Sequence, residues 1–137
     1  MNNHFAPTQK SRWMLVDDNA DVLSLLTALV ESLTDAEVEC HGSAKSALAA
    51  FAAAPGRYDL VITDYEMPGV DGVELCRQML ALAPAQKILL ATGSGFFTEA
   101  VARHAGFSGL LTKPFPIETL RETLDKAGIA TEALAHT

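Results

Sequence analysis

The sequence predicts an α/β domain in which a five-stranded parallel sheet is covered by helices on both faces. Short apolar segments alternate with helical segments along the whole chain, without a long linker, and this alternation is typical of consecutive strand–helix units. The strand segments are apolar almost throughout, as expected of strands that are covered on both faces. A length of 137 residues is that of one domain. Right-handed crossovers and ligand binding at the carboxyl edge of the sheet follow as defaults.

Five segments are predicted strands because they are short, apolar and bounded by turn or helix signals. They cover residues 12–16, 38–40, 58–63, 87–91 and 108–112. The domain is therefore expected over residues 12–128, with a flexible leader at 1–11 and a C-terminal tail at 129–137.

A helical pattern follows each predicted strand. Either Asp18 or Asn19 is the expected N-cap of the first helix, whose apolar residues repeat with helical spacing. Those residues are Val22, Leu25, Leu26, Leu29, Val30 and Leu33. Ser43 is the expected cap of an alanine-rich second helix, which runs to residue 54 and stops at Pro55 and Gly56. The remaining helices are predicted over residues 73–82, 98–105 and 117–126.

Composition and charge argue against several classes of function. A formal net charge of −7 is unfavourable for a nucleic-acid-binding surface. No apolar stretch approaches the ~18 residues of a membrane span, and the first ten residues lack the pattern of a secretory signal, so a cytoplasmic location is expected. Cys40 and Cys76 match no metal or redox spacing, which favours reduced structural thiols.

A polar side chain ends or follows four of the predicted strands. Asp17 and Asp18 follow the first strand, Asp64 the third, Thr92 the fourth and Lys113 the fifth. Because the carboxyl ends of parallel strands share one edge, these groups should converge. Two carboxylates 4 Å apart repel by about 4 kcal/mol at an effective dielectric of 20, so the cluster favours a bound cation. Mg²⁺ suits it because this ion takes few carboxylates and reaches phosphate oxygens, which also makes an aspartate here a plausible nucleophile toward phosphorus.

The same residues resemble the receiver domain of bacterial response regulators, the CheY-like superfamily. The resemblance covers residues 12 to 127 and implies a flavodoxin-like sheet with strand order 2-1-3-4-5. It rests on an ordered set: Asp17 and Asp18, Asp64, Met67 and Pro68, Asp71 and Gly72, Thr92, and Lys113 with Pro114 and Phe115.

This resemblance implies a role for each acidic residue. Asp64 would accept a phosphoryl group from a phosphohistidine on a partner protein. Asp17, Asp18 and Asp64 would hold Mg²⁺, with Asp18 and Asp64 as its direct ligands, and the backbone carbonyl of Glu66 would supply another. The side chain of Glu66 would tune the lifetime of the acyl phosphate.

The resemblance also assigns the remaining positions. Thr92 and Lys113 would contact the phosphoryl oxygens, Gly93 would leave the phosphoryl site open, and Ser94 would tune the phosphate lifetime. The Lys113–Pro114 bond is expected to be cis. Leu110 departs from the family pattern, since a switch aromatic normally lies three residues before the lysine. A leucine has no large ring to move between exposed and buried positions, so the usual coupling is expected to be weakened or rerouted through the neighbouring loop.

The function implied is a phosphorylation switch in two-component signalling, a regulatory binding module rather than an enzyme acting on other substrates. Its partners would be a sensor histidine kinase or histidine phosphotransfer protein and an unidentified downstream protein. A homodimer through the face made by the fourth helix, fifth strand and fifth helix is a further expectation.

Two alternatives use related chemistry. A Mg²⁺-dependent phosphohydrolase of the haloacid-dehalogenase type also uses an aspartyl nucleophile, but its DxD motif should follow the first strand, whereas Asp64 and Glu66 follow the third. A flavin-binding module would have a Ser/Thr-rich phosphate loop where this chain has Asp17 and Asp18.

Overall fold

The computed structural model describes residues 10–131, which form five strands and five helices in strict alternation. The predicted leader and tail lie largely outside these residues. The elements are β1 (Arg12–Val16), α1 (Ala20–Leu33), β2 (Glu37–His41), α2 (Ala44–Ala53), β3 (Leu60–Thr63), α3 (Gly72–Leu82), β4 (Ile88–Thr92), α4 (Glu99–His104), β5 (Gly109–Thr112) and α5 (Ile117–Lys126).

The five strands form one parallel sheet in the order β2-β1-β3-β4-β5, which confirms the fold class and the strand order. The order reverses between β1 and β3, and in open α/β sheets ligands bind at the carboxyl edge beside such a reversal. Val16 at the end of β1 pairs with Thr63 at the end of β3. The next residues along each strand, Asp17 and Asp64, are therefore neighbours.

Apolar side chains cover both faces of the sheet, as the unbroken apolar strands predict. Along β1, Trp13 and Leu15 join a core layer with residues of α1 and α5. Met14 and Val16 point the other way, into a layer with residues of α2, α3 and α4. The two layers fix both faces of β1 and leave its carboxyl end for polar groups.

Helix caps fix where the helices begin. The side chain of Asn19 accepts hydrogen bonds from the backbone N–H groups of Asp21 and Val22, so Asn19 rather than Asp18 caps α1. Ser43 caps α2 as expected, and Thr98 is the cap of α4 rather than its first residue. Because Asn19 is the cap, the side chain of Asp18 is left free for another role.

Strand boundaries differ from the prediction by one or two residues. Strand β3 begins at Leu60, which pairs with Trp13 of β1, rather than at Tyr58. The two residues before it are held by side-chain hydrogen bonds. The Tyr58 hydroxyl donates to Glu39 Oε2 at 2.8 Å, and the Asp59 carboxylate accepts from the Arg12 backbone N–H at 3.0 Å. Among the described residues, no helix combines the length and apolar character needed to cross a membrane.

Candidate functional site

Three carboxylates meet at the carboxyl edge of β1 and β3, as predicted. Asp17, Asp18 and Asp64 each offer a carboxylate oxygen, and these oxygens all lie within 4.8 Å of one another. Asp17 is buried, Asp64 is half-buried and Asp18 is exposed. The convergence follows from strand register, since Asp17 and Asp64 each come directly after a paired residue of adjacent strands.

Asp17 is held by hydrogen bonds on both of its carboxylate oxygens. Its Oδ1 accepts from the backbone N–H of Asn19 at 2.9 Å, and its Oδ2 accepts from the Lys113 ammonium at 2.7 Å. Its own backbone N–H donates to the carbonyl of His41 at 3.1 Å. This residue therefore serves to orient Lys113 as much as to offer an oxygen to the groove.

Asp64 is less completely engaged. Its Oδ1 accepts from the backbone N–H of Tyr65 at 2.8 Å and lies 3.5 Å from the Lys113 ammonium. No hydrogen bond to its Oδ2 comes from the part of the chain that the structure describes. Burial raises the pKa of the Asp64 carboxyl above its ordinary value, the positive charge of Lys113 opposes this, and the negative charge of Asp17 adds to it. The ionised form is therefore held in an unfavourable setting that a cation would relieve.

Gly72 lets α3 begin directly against Asp64, a requirement that the sequence analysis did not identify. A Cβ at this position would lie 2.1 Å from the carbonyl oxygen of Asp64, which no side chain can tolerate. The Gly72 backbone N–H donates to the carbonyl of Tyr65 at 2.8 Å and so closes the loop after β3. The signal in the sequence was a glycine immediately after the helix cap Asp71.

Thr92 and Lys113 end adjacent strands and are joined through the backbone. The Lys113 N–H donates to the carbonyl of Thr92 at 2.9 Å. The Lys113 ammonium reaches the carboxylates, and the Lys113–Pro114 bond is cis as expected. The Thr92 side chain is buried, and its hydroxyl accepts from the Ser94 backbone N–H at 3.1 Å. The structure thus places the Lys113 ammonium against the acidic cluster, whereas the Thr92 hydroxyl bonds to the loop that follows β4.

The remaining predicted positions surround this centre. Glu66 is exposed and lines an open groove of about 700 Å³ above the carboxylates. Gly93 is exposed, and a Cβ there would meet no atom within 4 Å. Ser94 is half-buried, with its hydroxyl accepting from the Phe96 backbone N–H at 3.1 Å. Leu110 is half-buried and packs against the core layer beneath α4.

The donor set fits a hard divalent cation. Three carboxylate oxygens are available within one small volume, and the open groove leaves room for the waters that Mg²⁺ retains. An adjacent ammonium can bind an oxyanion as a point charge. A doubly wound α/β fold with this site at its carboxyl edge defines a domain that can receive a phosphoryl group on a carboxylate.

Comparison with known proteins agrees with this geometry. The sequence profile of the family described as "Response regulator receiver domain" matches residues 14–125. The C4-dicarboxylate transport transcriptional regulatory protein DctD of Rhizobium meliloti is 35% identical over 114 residues, which are 82% of this chain and 24% of DctD. This chain thus spans about a quarter of the length of that relative.

Solved structures show the same architecture. A response regulator receiver domain from Clostridium thermocellum superposes with a TM-score of 0.78 at 25% identity, covering 85% of this chain and 93% of the other. The response regulator TrrA from Thermotoga maritima, solved in complex with Mg²⁺–BeF, gives a TM-score of 0.75 at 28% identity, covering 85% and 98%.

This chain belongs to the response regulator receiver domain family. It is a phospho-accepting receiver domain of two-component signalling, which confirms the resemblance. The comparisons do not support the phosphohydrolase alternative.

Proposed function

We propose that Asp64 accepts a phosphoryl group from a phosphohistidine and that this switches a protein-binding surface of the domain. The donor would be a sensor histidine kinase or a histidine phosphotransfer protein in the cytoplasm. The observation that carries the proposal is the convergence of three carboxylates with the Lys113 ammonium at one edge of the sheet.

The two oxygens of Asp64 have different tasks in this proposal. Oδ1 is held by the Tyr65 N–H and lies near Lys113, so it orients the carboxylate. Oδ2 is the candidate nucleophile, since it accepts no hydrogen bond from the described residues. Attack by Oδ2 on phosphorus forms the acyl phosphate and breaks the P–N bond of the phosphohistidine. The departing imidazole nitrogen keeps the bond's electron pair.

Asp17, Asp18, Asp64 and the backbone carbonyl of Glu66 are the proposed Mg²⁺ ligands. The similar structure of TrrA was solved in complex with Mg²⁺–BeF, which supports Mg²⁺ as a ligand of this fold. When bound, Mg²⁺ offsets the negative charge on the carboxylates and on the transferred oxygens. Asp17 also holds Lys113 in place through its Oδ2, so its role is partly one of positioning.

Lys113 and Thr92 are the proposed donors to the phosphoryl oxygens. The Lys113 ammonium already faces Asp64 at 3.5 Å. The Thr92 hydroxyl accepts one hydrogen bond from Ser94, and its own proton remains available for donation. A phosphoryl group on Asp64 would draw this hydroxyl toward the site and pull on the loop that carries Ser94. We propose that Glu66 and Ser94 tune the lifetime of the acyl phosphate and that Gly93 keeps the approach open.

The proposed output surface consists of α4, β5 and α5. Two large apolar side chains beside or within α4 are exposed, Phe96 by 74% and Val101 by 46%, and such groups favour contact with a protein. The downstream protein, or a second copy of the chain, would bind there. Because Leu110 replaces the usual aromatic, we propose that the signal reaches this surface through the loop between β4 and α4. There the Phe97 ring contacts Tyr65, next to Asp64, and also Phe96, with centroids 4.8 Å and 5.3 Å apart.

Incubation with acetyl phosphate and Mg²⁺, followed by intact-mass measurement, tests the proposal. Wild type should gain the mass of one phosphoryl group, and Asp64→Asn should gain none. Asp59→Asn is the matched control, because Asp59 precedes β3 and so lies at the opposite edge of the sheet. Equal labelling of wild type and Asp64→Asn would place the acceptor elsewhere and refute the assignment.

A further inference from the structure

A second cavity adjoins the phosphorylation site, and its apolar walls have no part in the chemistry above. Its volume is about 340 Å³. One wall is a stripe of α1, and the opposite wall is the segment that follows Lys113. The stripe comprises Val22, Leu25, Leu26 and Leu29, and the opposite wall comprises Pro114 and Phe115.

The stripe on α1 has helical spacing and should lie buried in the core. Leu26 is buried, but Leu25 is 63% exposed and Leu29 is only half-buried. The interior of the cavity is almost wholly apolar, with Ala91 of β4 among the residues at its base. The molecule therefore offers a concave apolar surface that the described residues do not fill.

The mouth of this cavity is charged. Asp17, Asp64 and Lys113 line it together with the apolar walls. The Lys113 ammonium is bonded to Asp17 at 2.7 Å, so one positive charge faces two negative ones. A ligand that places a positive group at this mouth would complement the net negative charge there, whereas an anionic group would be repelled.

We propose that the cavity binds a small organic amine, with the apolar body between α1 and Phe115 and the ammonium at Asp17 and Asp64. A cavity of ~150 Å³ holds one benzene molecule, so a volume of about 340 Å³ suits two fused rings. Since these carboxylates are also the proposed Mg²⁺ ligands, the amine would compete with Mg²⁺ and keep the domain unphosphorylated. This regulatory consequence rests on the proposed function, whereas the binding itself does not.

Calorimetric titration of the whole chain without Mg²⁺ tests the binding. The probes share one apolar body and differ in charge: 1-naphthylmethylamine, 1-naphthylmethanol and 1-naphthylacetate. The amine should bind at least about tenfold more tightly than the carboxylate because of the charge at the mouth, and millimolar Mg²⁺ should weaken its binding. Methylamine, which has the ammonium without the rings, should not bind measurably.

Substitutions locate the site. Leu25→Trp and Leu29→Trp fill the cavity from its α1 wall and should abolish binding of the naphthyl amine. Leu82→Trp is the matched control, since Leu82 is also exposed, by 48%, but lies at the end of α3 away from the cavity. A thermal melt of each variant shows that the fold is kept.

Four outcomes would overturn the inference. Unchanged binding in both filled variants would place the amine elsewhere, and equal affinity of the carboxylate probe would refute the charge argument. Methylamine binding as tightly as the naphthyl amine would remove the cavity from the explanation. If no probe bound, the cavity would not be an amine site, and its apolar walls would instead contact a protein or close against each other in solution. Acetyl phosphate labelling of Asp64 without any amine remains an independent test of the proposed function.

Discussion

Replacing Asp17 with asparagine and replacing Asp64 with asparagine should change the free energy of unfolding in opposite directions. At an effective dielectric of 20, the attraction between Lys113 and Asp17 at 2.7 Å is about 6 kcal/mol, and that between Lys113 and Asp64 at 3.5 Å is about 5 kcal/mol. Repulsion between Asp17 and Asp64, whose oxygens lie within 4.8 Å, is at least about 3.5 kcal/mol. Asp17→Asn therefore loses at most about 2.5 kcal/mol of net attraction, together with a charge-assisted hydrogen bond.

Asp64→Asn loses less, at most about 1.5 kcal/mol of net attraction on the same arithmetic. Its carboxylate also pays a dehydration cost that exceeds this gain, because burial raises its pKa despite Lys113. We therefore expect Asp64→Asn to stabilise the domain at pH 7, and Asp17→Asn, which leaves the Lys113 ammonium without its 2.7 Å partner, to destabilise it by about 2 kcal/mol. For a domain of this size a loss of about 2 kcal/mol corresponds to a fall of roughly 8 °C in Tm.

The pH dependence of the Asp64→Asn effect has a definite sign. Since the pKa of Asp64 is raised on folding, the folded wild type binds a proton more readily than the unfolded chain and loses stability as pH rises through this pKa. Below that pKa the wild-type carboxyl is neutral, as in the Asn variant. The stability advantage of Asp64→Asn should therefore be largest at pH 7 and should shrink as the pH is lowered through the raised pKa.

Thermal and urea unfolding of wild type, Asp17→Asn and Asp64→Asn, in EDTA between pH 4 and pH 8, measures these differences. Wild type and Asp64→Asn should converge toward the acid end of this range. If Asp64→Asn were less stable than wild type at pH 7, or if the gap were independent of pH, the electrostatic account of the site would be wrong.

Three further predictions follow from the same structure. Mg²⁺ at a hundred times its Kd should stabilise wild type by about 2.7 kcal/mol and Asp64→Asn far less, so comparable Tm shifts in both would remove Asp64 from the metal site. Gly72→Ala should lower the free energy of unfolding by more than about 2 kcal/mol, because its Cβ would lie 2.1 Å from the Asp64 carbonyl oxygen. Gly93→Ala is the control: a Cβ there meets no atom within 4 Å, so stability should change by less than about 0.5 kcal/mol. Chemical denaturation of both variants measures the difference. Leu110→Tyr should alter partner affinity in the phosphorylated or the unphosphorylated form, and Phe97→Leu should reduce the NMR shift changes in α4 on phosphorylation; unchanged affinity in both forms, or undiminished shifts, would refute the route through the loop.

Most of the fold could be predicted from the sequence because its signals are local. Apolar runs mark the strands, and caps such as Asn19 and Ser43 mark where helices begin. The convergence of Asp17 with Asp64 was also predictable, because parallel strands present their carboxyl ends at one edge. Only the register, in which Val16 pairs with Thr63, had to come from the structure.

Features that depend on distant side chains were not predictable. Tyr58, just before β3, bonds to Glu39, nineteen positions away, and no local pattern signals that contact. Leu25 fits the buried stripe of α1 by spacing, yet its side chain is mostly exposed beside a cavity that Phe115 also lines. One local contact was also missed: the Thr92 hydroxyl accepts a hydrogen bond from the Ser94 backbone N–H and does not reach the carboxylates.

The instability of the ionised Asp64 and its capacity to bind a cation have one physical origin. Burial and the nearby charge of Asp17 oppose ionisation of this carboxyl, and Lys113 offsets them only in part. The free energy that the folded chain loses by keeping Asp64 charged is recovered when a divalent cation offsets that charge. The stability that Asp64→Asn gains without metal and the Mg²⁺ response that it forfeits should therefore appear together in the same variant. If Asp64→Asn gained stability without metal but kept the Mg²⁺ response, or lost the response without gaining stability, the metal would bind somewhere other than the acidic cluster.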